Sequence, residues 1–141
     1  MPYATQQDLE RRYGAAELVQ LTDRQDPGDG APDAAVIETA LADADALIDS
    51  YLAVRYALPL AAPPARLTQA AAVLAWYLLH RDRAPEEVRI AYDRELRWLQ
   101  HVAEGKAELI GPDGDHPPTQ GGSVQVCAPG RTFSRETLRG F

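Results

Sequence analysis

The chain has 141 residues, enough for one domain with its own core, and its Ala- and Leu-rich apolar content favours helices over sheets. Fourteen Lys and Arg against twenty-one Asp and Glu give a net charge of −7, which argues against a nucleic-acid binder that neutralises many phosphates. The single cysteine, Cys127, excludes an intrachain disulfide and any multi-cysteine zinc site. We therefore predict a mostly α protein without a cofactor or a metal ion.

Membrane insertion and secretion are not expected from the sequence. No apolar run reaches the 18 residues of a transmembrane helix, and the N-terminus lacks the charged-then-apolar order of a signal peptide. We predict a soluble protein of the cytoplasm with no membrane partner.

Two short helices are predicted at the N-terminus. Thr5 followed three residues later by Asp8 resembles a helix-capping arrangement, and Gly14 is expected to end the first helix in the αL conformation. A second helix over 15–21 completes a lid on the core that presents Leu9, Tyr13, Leu18 and Leu21. The charged turn formers of 23–32 then predict an exposed loop.

Three long helices are predicted to form the core, over 33–56, 64–80 and 85–104. In the first, apolar residues from Ile37 to Tyr51 recur every three or four positions, so an α-helix gathers them on one stripe. Proline stands at the start of the second and third helices, which repeat the same apolar spacing. The residues expected to be buried are Leu41, Ile48, Leu74, Leu78, Leu96 and Leu99.

The first long helix carries four acidic side chains after Asp33, which is placed to cap its N-terminus. These are Glu38, Asp43, Asp45 and Asp49. Paired carboxylates serve in metal binding and acid–base catalysis, yet no His or basic partner follows at helical spacing. We interpret the four as one solvated face, with the alternative that they line an acidic channel. No P-loop, GxSxG or HExxH motif is present, so we predict no enzymatic activity.

The chain changes character after residue 105. Six Gly and four Pro in 106–141 approach the content at which a packed core fails, so we predict a helical domain over 1–105 and an extended C-terminal arm over 106–141. Residues 1–105 hold ten basic and seventeen acidic residues, whereas 131–141 hold three Arg and one Glu. A basic, aromatic end on an acidic body indicates a segment that docks on a neighbouring subunit or protein. Its expected anchors are Arg131, Phe133, Arg135, Leu138, Arg139 and Phe141.

Several segments resemble, in chain order, those of one known family: YATQQDLERRYG, LVQLTD, ALADADALIDSYLAVRYALPL, AWYLL, YDRELRWL and the final RTFSRETLRGF. Together they resemble the Mu-like bacteriophage head-tail connector proteins over nearly the whole chain, least over 111–125. The resemblance implies a small helical adaptor of the virion neck, and it brings no catalytic residues.

The resemblance also implies partners. They are further copies of the chain in a ring, with twelve-fold symmetry, the portal protein, and a tail-side connector or terminator protein. Packaged DNA would pass through the lumen without specific binding, past an acidic surface that repels phosphate. The alternative is a small DNA-binding or regulatory helical protein, since short helices can include a helix-turn-helix. The excess of acidic over basic residues argues against this alternative.

Overall fold

A computed structural model describes residues 2–23 and 30–120. Five α-helices form in these ranges: α1 (Gln6–Tyr13), α2 (Ala15–Thr22), α3 (Ala34–Leu52), α4 (Ala65–His80) and α5 (Glu86–Ala103). The three long helices contact one another as a bundle, and the two short ones lie on α4, with α1 also touching α3. The described residues contain no strand, only a bridge between Tyr56 and Thr119. The predicted mostly α fold is therefore confirmed.

The helix starts follow from the capping residues identified in the sequence. The Thr5 hydroxyl accepts a hydrogen bond from the Asp8 amide, and the Asp8 carboxylate accepts one from the Thr5 amide, which completes a capping box at α1. Asp33 caps α3 by accepting bonds of 3.0 and 3.3 Å from two amides of the first turn. Pro64 and Pro85 stand immediately before α4 and α5. These helix starts depend only on residues close by in the sequence, which explains why they are predictable.

The two short helices form the expected lid, although Gly14 does not adopt the αL conformation. Its φ of 93° and ψ of 141° lie in a region that is essentially open to glycine alone. The chain is extended there, so α2 begins at the next residue. Leu9 and Leu18 become fully buried, and Tyr13 stacks on Trp76 of α4 with ring centres 4.0 Å apart. This stacking fixes the end of α1 on the bundle.

The core contains most, but not all, of the residues expected in it. The four confirmed members are Leu41, Ile48, Leu74 and Leu99. Leu78 and Leu96 are only partly buried at its edge, so their prediction is wrong. On α5 the buried stripe consists of Glu95, Leu99 and Val102, because the Glu95 carboxylate turns inward to pair with Arg66 of α4. Leu78 lies near the end of α4, where it lines a cleft against α3.

The central helix ends earlier than predicted, at Leu52 rather than Tyr56. The chain turns so that the Tyr56 ring enters the core, where its hydroxyl accepts a 3.2 Å hydrogen bond from the Leu109 amide. Backbone hydrogen bonds then join 55–57 to 118–120. A helix that continued through Tyr56 would lose these long-range contacts, so tertiary structure ends it.

The first part of the predicted arm, residues 106–120, rests on its own chain. Leu109 is fully buried in the core, and Arg55 forms a 3.6 Å ion pair with Glu108. This stretch is therefore held by the same molecule and does not depend on a neighbour for its contacts. The six anchors proposed between 131 and 141 lie outside the described residues.

Candidate functional site

Three of the four acidic side chains of α3 share one face, which we call the acidic row: Glu38, Asp45 and Asp49. Their separations of seven and four residues align them over roughly 16 Å of helix. They line a groove of about 560 Å³ together with the small side chains of Ala42 and Ala46 and with four N-terminal residues, Pro2, Ala4, Thr5 and Gln6.

Asp43 does not belong to this face. It lies two residues before Asp45, which places it about 200° around the helix, where it lines another cleft with Leu78 and Leu79. The expectation that all four carboxylates form one surface is therefore wrong for Asp43.

Tyr3 holds the N-terminal segment against the acidic row. Its amide donates a 3.1 Å hydrogen bond to Asp45 Oδ1, and its hydroxyl donates one to Asp49 Oδ1. Burial raises the pKa of Tyr3, and the hydrogen bond to Asp49 and the charges of both carboxylates raise it further. The hydroxyl thus remains a neutral donor at physiological pH. Both hydrogen bonds use Oδ1, so Oδ2 of neither carboxylate takes part in them.

The acidic row lacks a counter-charge from the described side chains. Glu38, Asp45 and Asp49 form no ion pair with a Lys or Arg of residues 2–23 or 30–120, and α3 itself has no basic residue. Burial raises the pKa of Asp45, and the nearby Asp49 charge adds to the increase. The hydrogen bond from Tyr3 and the positive chain N-terminus offset part of it. The row is thus a set of like charges, of which Asp45 and Asp49 are half-buried and Glu38 is exposed.

Replacing Asp45 with Asn is therefore expected to stabilise the fold at neutral pH. When folding raises the pKa of a carboxyl group, the protein loses stability as the pH rises from the pKa of that group in the unfolded chain to its pKa in the folded chain. Asn still accepts the Tyr3 amide bond but carries no charge. The melting temperature should exceed that of the wild type at pH 7. The gain should vanish near about pH 3, below both pKa values.

Glu38→Gln is the control for this measurement, because Glu38 is exposed and does not bond Tyr3. Its melting temperature should change little at either pH. An equal gain for Asp45→Asn at both pH values would contradict the electrostatic explanation.

The outer face of α5 carries a row that contains two arginines, which we call the basic stripe, beside the exposed acids Glu86, Glu87 and Asp93. It consists of Ile90, Arg94, Arg97 and His101, which recur at spacings of four, three and four residues. All four side chains lie on the solvent side of the helix, with Ile90 48% exposed. Within the described part of the chain, neither arginine forms an ion pair. Sequence reasoning missed this stripe because acidic residues of the same helix cancel the arginines in a count of charge. The helical spacing was the available signal.

The two charged surfaces lie on different sides of the bundle. The acidic row faces residues 2–6, whereas α5 contacts α3 and α4 and turns the basic stripe outward. Among the described residues, no group of His, Cys, Asp and Glu is placed to hold a metal ion. None of the helices in these ranges is both long and apolar enough to cross a bilayer. The candidate features are surfaces suited to recognition.

Comparison with known proteins shows the family. The family model described as Bacteriophage Mu, Gp36 matches residues 3–128. Gene product J of Escherichia phage Mu is 44% identical over 148 aligned positions, which cover all of this chain and 99% of that protein. The Mu-like prophage FluMu protein gp36 of Haemophilus influenzae is 34% identical over 139 positions, which cover 99% of this chain and 97% of that protein. The predicted relation to Mu-like phage proteins is confirmed, and the chain belongs to the bacteriophage Mu Gp36 family.

Proposed function

We propose that the chain is a structural virion protein, a head-tail connector that assembles as a ring in the neck of the particle. Membership of a bacteriophage family supports a role in the phage particle. The observation that carries the proposal is the acidic row, because two of its three carboxylates are half-buried and no Lys or Arg of the described residues pairs with any of them. Such a surface is suited to a partner that supplies the positive charge.

In this role the ring lies between the portal protein and a tail-side connector or terminator protein, after assembly in the host cytoplasm. The net charge of −7 supports passage of DNA without specific binding. Acidic walls repel phosphate at short range, and counterions screen the repulsion over about 8–10 Å. The basic, aromatic segment 131–141 acts as a docking arm toward a neighbouring virion protein.

A phage that lacks this gene is expected to make DNA-filled heads and complete tails that do not join. Electron microscopy of lysates measures the fraction of joined particles, and the full-length chain supplied in trans should restore it. A chain truncated after residue 130 should fold but restore few joined particles, because it lacks the arm.

Cryo-electron microscopy of complemented particles provides the positional test. The chain should occupy a closed ring between portal and tail. Normal joined particles without the gene, or purified particles without the chain, would contradict the connector role. Specific binding of operator DNA by the isolated chain would instead support the regulatory alternative.

A further inference from the structure

We propose that the acidic row of one copy pairs with the basic stripe of the next copy, and that this contact builds the ring; the inference rests on the proposed connector function. The two faces have the same helical spacing, with residues at i, i+4, i+7 and i+11. On α3 these are Glu38, Ala42, Asp45 and Asp49, and on α5 they are Ile90, Arg94, Arg97 and His101.

The shapes of the two faces allow close contact. Each extends over roughly 16 Å of helix, so the rows match in length. Ala42 and Ala46 leave the groove beside α3 shallow enough for another helix to approach, above the buried side chains of Ile37 and Leu41. Ile90 is one of the few large apolar side chains exposed in the described residues, and it lies at one end of the stripe, opposite Glu38 in parallel pairing or Asp49 in antiparallel pairing.

One acid of the row meets an arginine in either direction of pairing. Asp45 faces Arg97 if the two helices run parallel, and it faces Arg94 if they run antiparallel. In both cases an acid without a basic partner in its own described chain meets an arginine without an acidic one. Exposed pairs of this kind mainly select the partner and its register, and they suppress wrong pairings by repulsion.

The position of the two faces determines the symmetry of the assembly. They lie on different sides of one molecule, so each copy offers one face to the copy before it and the other to the copy after it. Such a heterologous contact repeats head to tail and produces a ring when the rotation closes. A two-fold dimer through the acidic row is disfavoured, because the row would meet its own charges.

Charge reversal tests the pairing without disturbing buried contacts. One variant carries Arg94→Glu and Arg97→Glu, and the other carries Glu38→Lys and Ala42→Lys; none of the four residues is buried and none bonds Tyr3. Supplied alone to the gene-deleted phage, each should weaken subunit association by about 100-fold or more and reduce joined particles accordingly. Supplied together, they should restore joining in part, because the lysine introduced at position 42 then meets a glutamate introduced at position 94 or 97, whereas Asp45 still lies opposite the other glutamate.

Arg83→Glu with Lys106→Glu is the matched control. It changes the net charge as much as the α5 variant does, at exposed positions outside both faces, and it should join heads to tails normally. Normal joining by either charge-changed variant alone would overturn the pairing. A mixture that joins no better than the single variants, when both chains are shown to be folded by circular dichroism, would overturn it as well.

Cross-linking in intact particles tests the contact directly. In a chain with Cys127→Ser, Ala42→Cys is combined with Arg94→Cys for parallel pairing or with Arg97→Cys for antiparallel pairing. A short bismaleimide should then produce a ladder of covalent multimers from one combination, because every copy contributes one cysteine to each neighbour.

The outcomes separate this inference from the function on which it rests. Particles that contain the chain but give no ladder with either combination overturn the pairing and leave the connector role intact. A ladder from Ala42→Cys with native Cys127 places the C-terminal arm in the groove and also overturns it. Absence of the chain from the particles overturns the connector role itself.

Discussion

Replacing Leu74 with alanine is expected to lower the free energy of unfolding by about 2–5 kcal/mol. Leu74 is fully buried on α4, which packs against both other long helices. Truncation removes apolar contacts and leaves a cavity that the surrounding helices fill only in part. Urea denaturation followed by circular dichroism measures the loss. Leu99→Ala should behave in the same way, since Leu99 is equally buried on α5.

Two further variants make this prediction specific to burial. Val54 is 69% exposed, so Val54→Ala should change stability by no more than about 0.5 kcal/mol. Leu78 lies at the edge of the core, so Leu78→Ala should cost less than Leu74→Ala. Equal unfolding midpoints for Leu74→Ala and Val54→Ala would contradict this packing of the core.

Replacing Arg66 with methionine is expected to cost about 2–3 kcal/mol, somewhat below the loss typical of a fully buried ion pair, because Arg66 is partly solvated. The guanidinium lies 2.7 Å from the Glu95 carboxylate, and the side chains of Arg66 and Glu95 are 36% and 7% exposed. It also lies 4.1 Å from the ring centre of Trp98. Without Arg66, the Glu95 carboxylate stays buried and loses the one ion pair that it forms among the described residues.

The double variant Arg66→Met, Glu95→Met distinguishes the loss of the ion pair from the cost of leaving the Glu95 carboxylate unpaired. Removing both charges avoids the unpaired carboxylate, so the double variant should recover much of the stability lost in Arg66→Met. Denaturation at pH 7 of the wild type, both single variants and the double variant completes the cycle. If Arg66→Met and the double variant are equally unstable, the carboxylate is not the source of the loss.

The local sequence determined where most helices begin and how many there are. The Thr5–Asp8 capping box, the Asp33 cap and the prolines before α4 and α5 act within one or two turns, so neighbouring residues suffice to identify them. The apolar spacing of α3 likewise predicted its buried stripe. The ordered segments shared with Mu-like phage proteins are also recognisable from the amino-acid sequence alone.

The candidate surfaces depended on contacts that sequence spacing does not reveal. Tyr3 reaches Asp45 and Asp49 across more than forty residues, and this contact makes part of α3 the wall of a groove. The separation of Asp43 from this face, by contrast, follows from helical geometry alone, because two residues along an α-helix correspond to about 200° of rotation.

Only the tertiary structure decided the end of α3 and the rotation of α5. Tyr56 leaves the helical path because its ring is buried in the core and its hydroxyl accepts a hydrogen bond from the amide of Leu109, fifty-three residues away. α5 buries Glu95 in place of Leu96 because Arg66 on another helix compensates the charge. The periodicity of one helix shows which residues share a face, but the direction of that face is set by the partners that satisfy its buried polar groups.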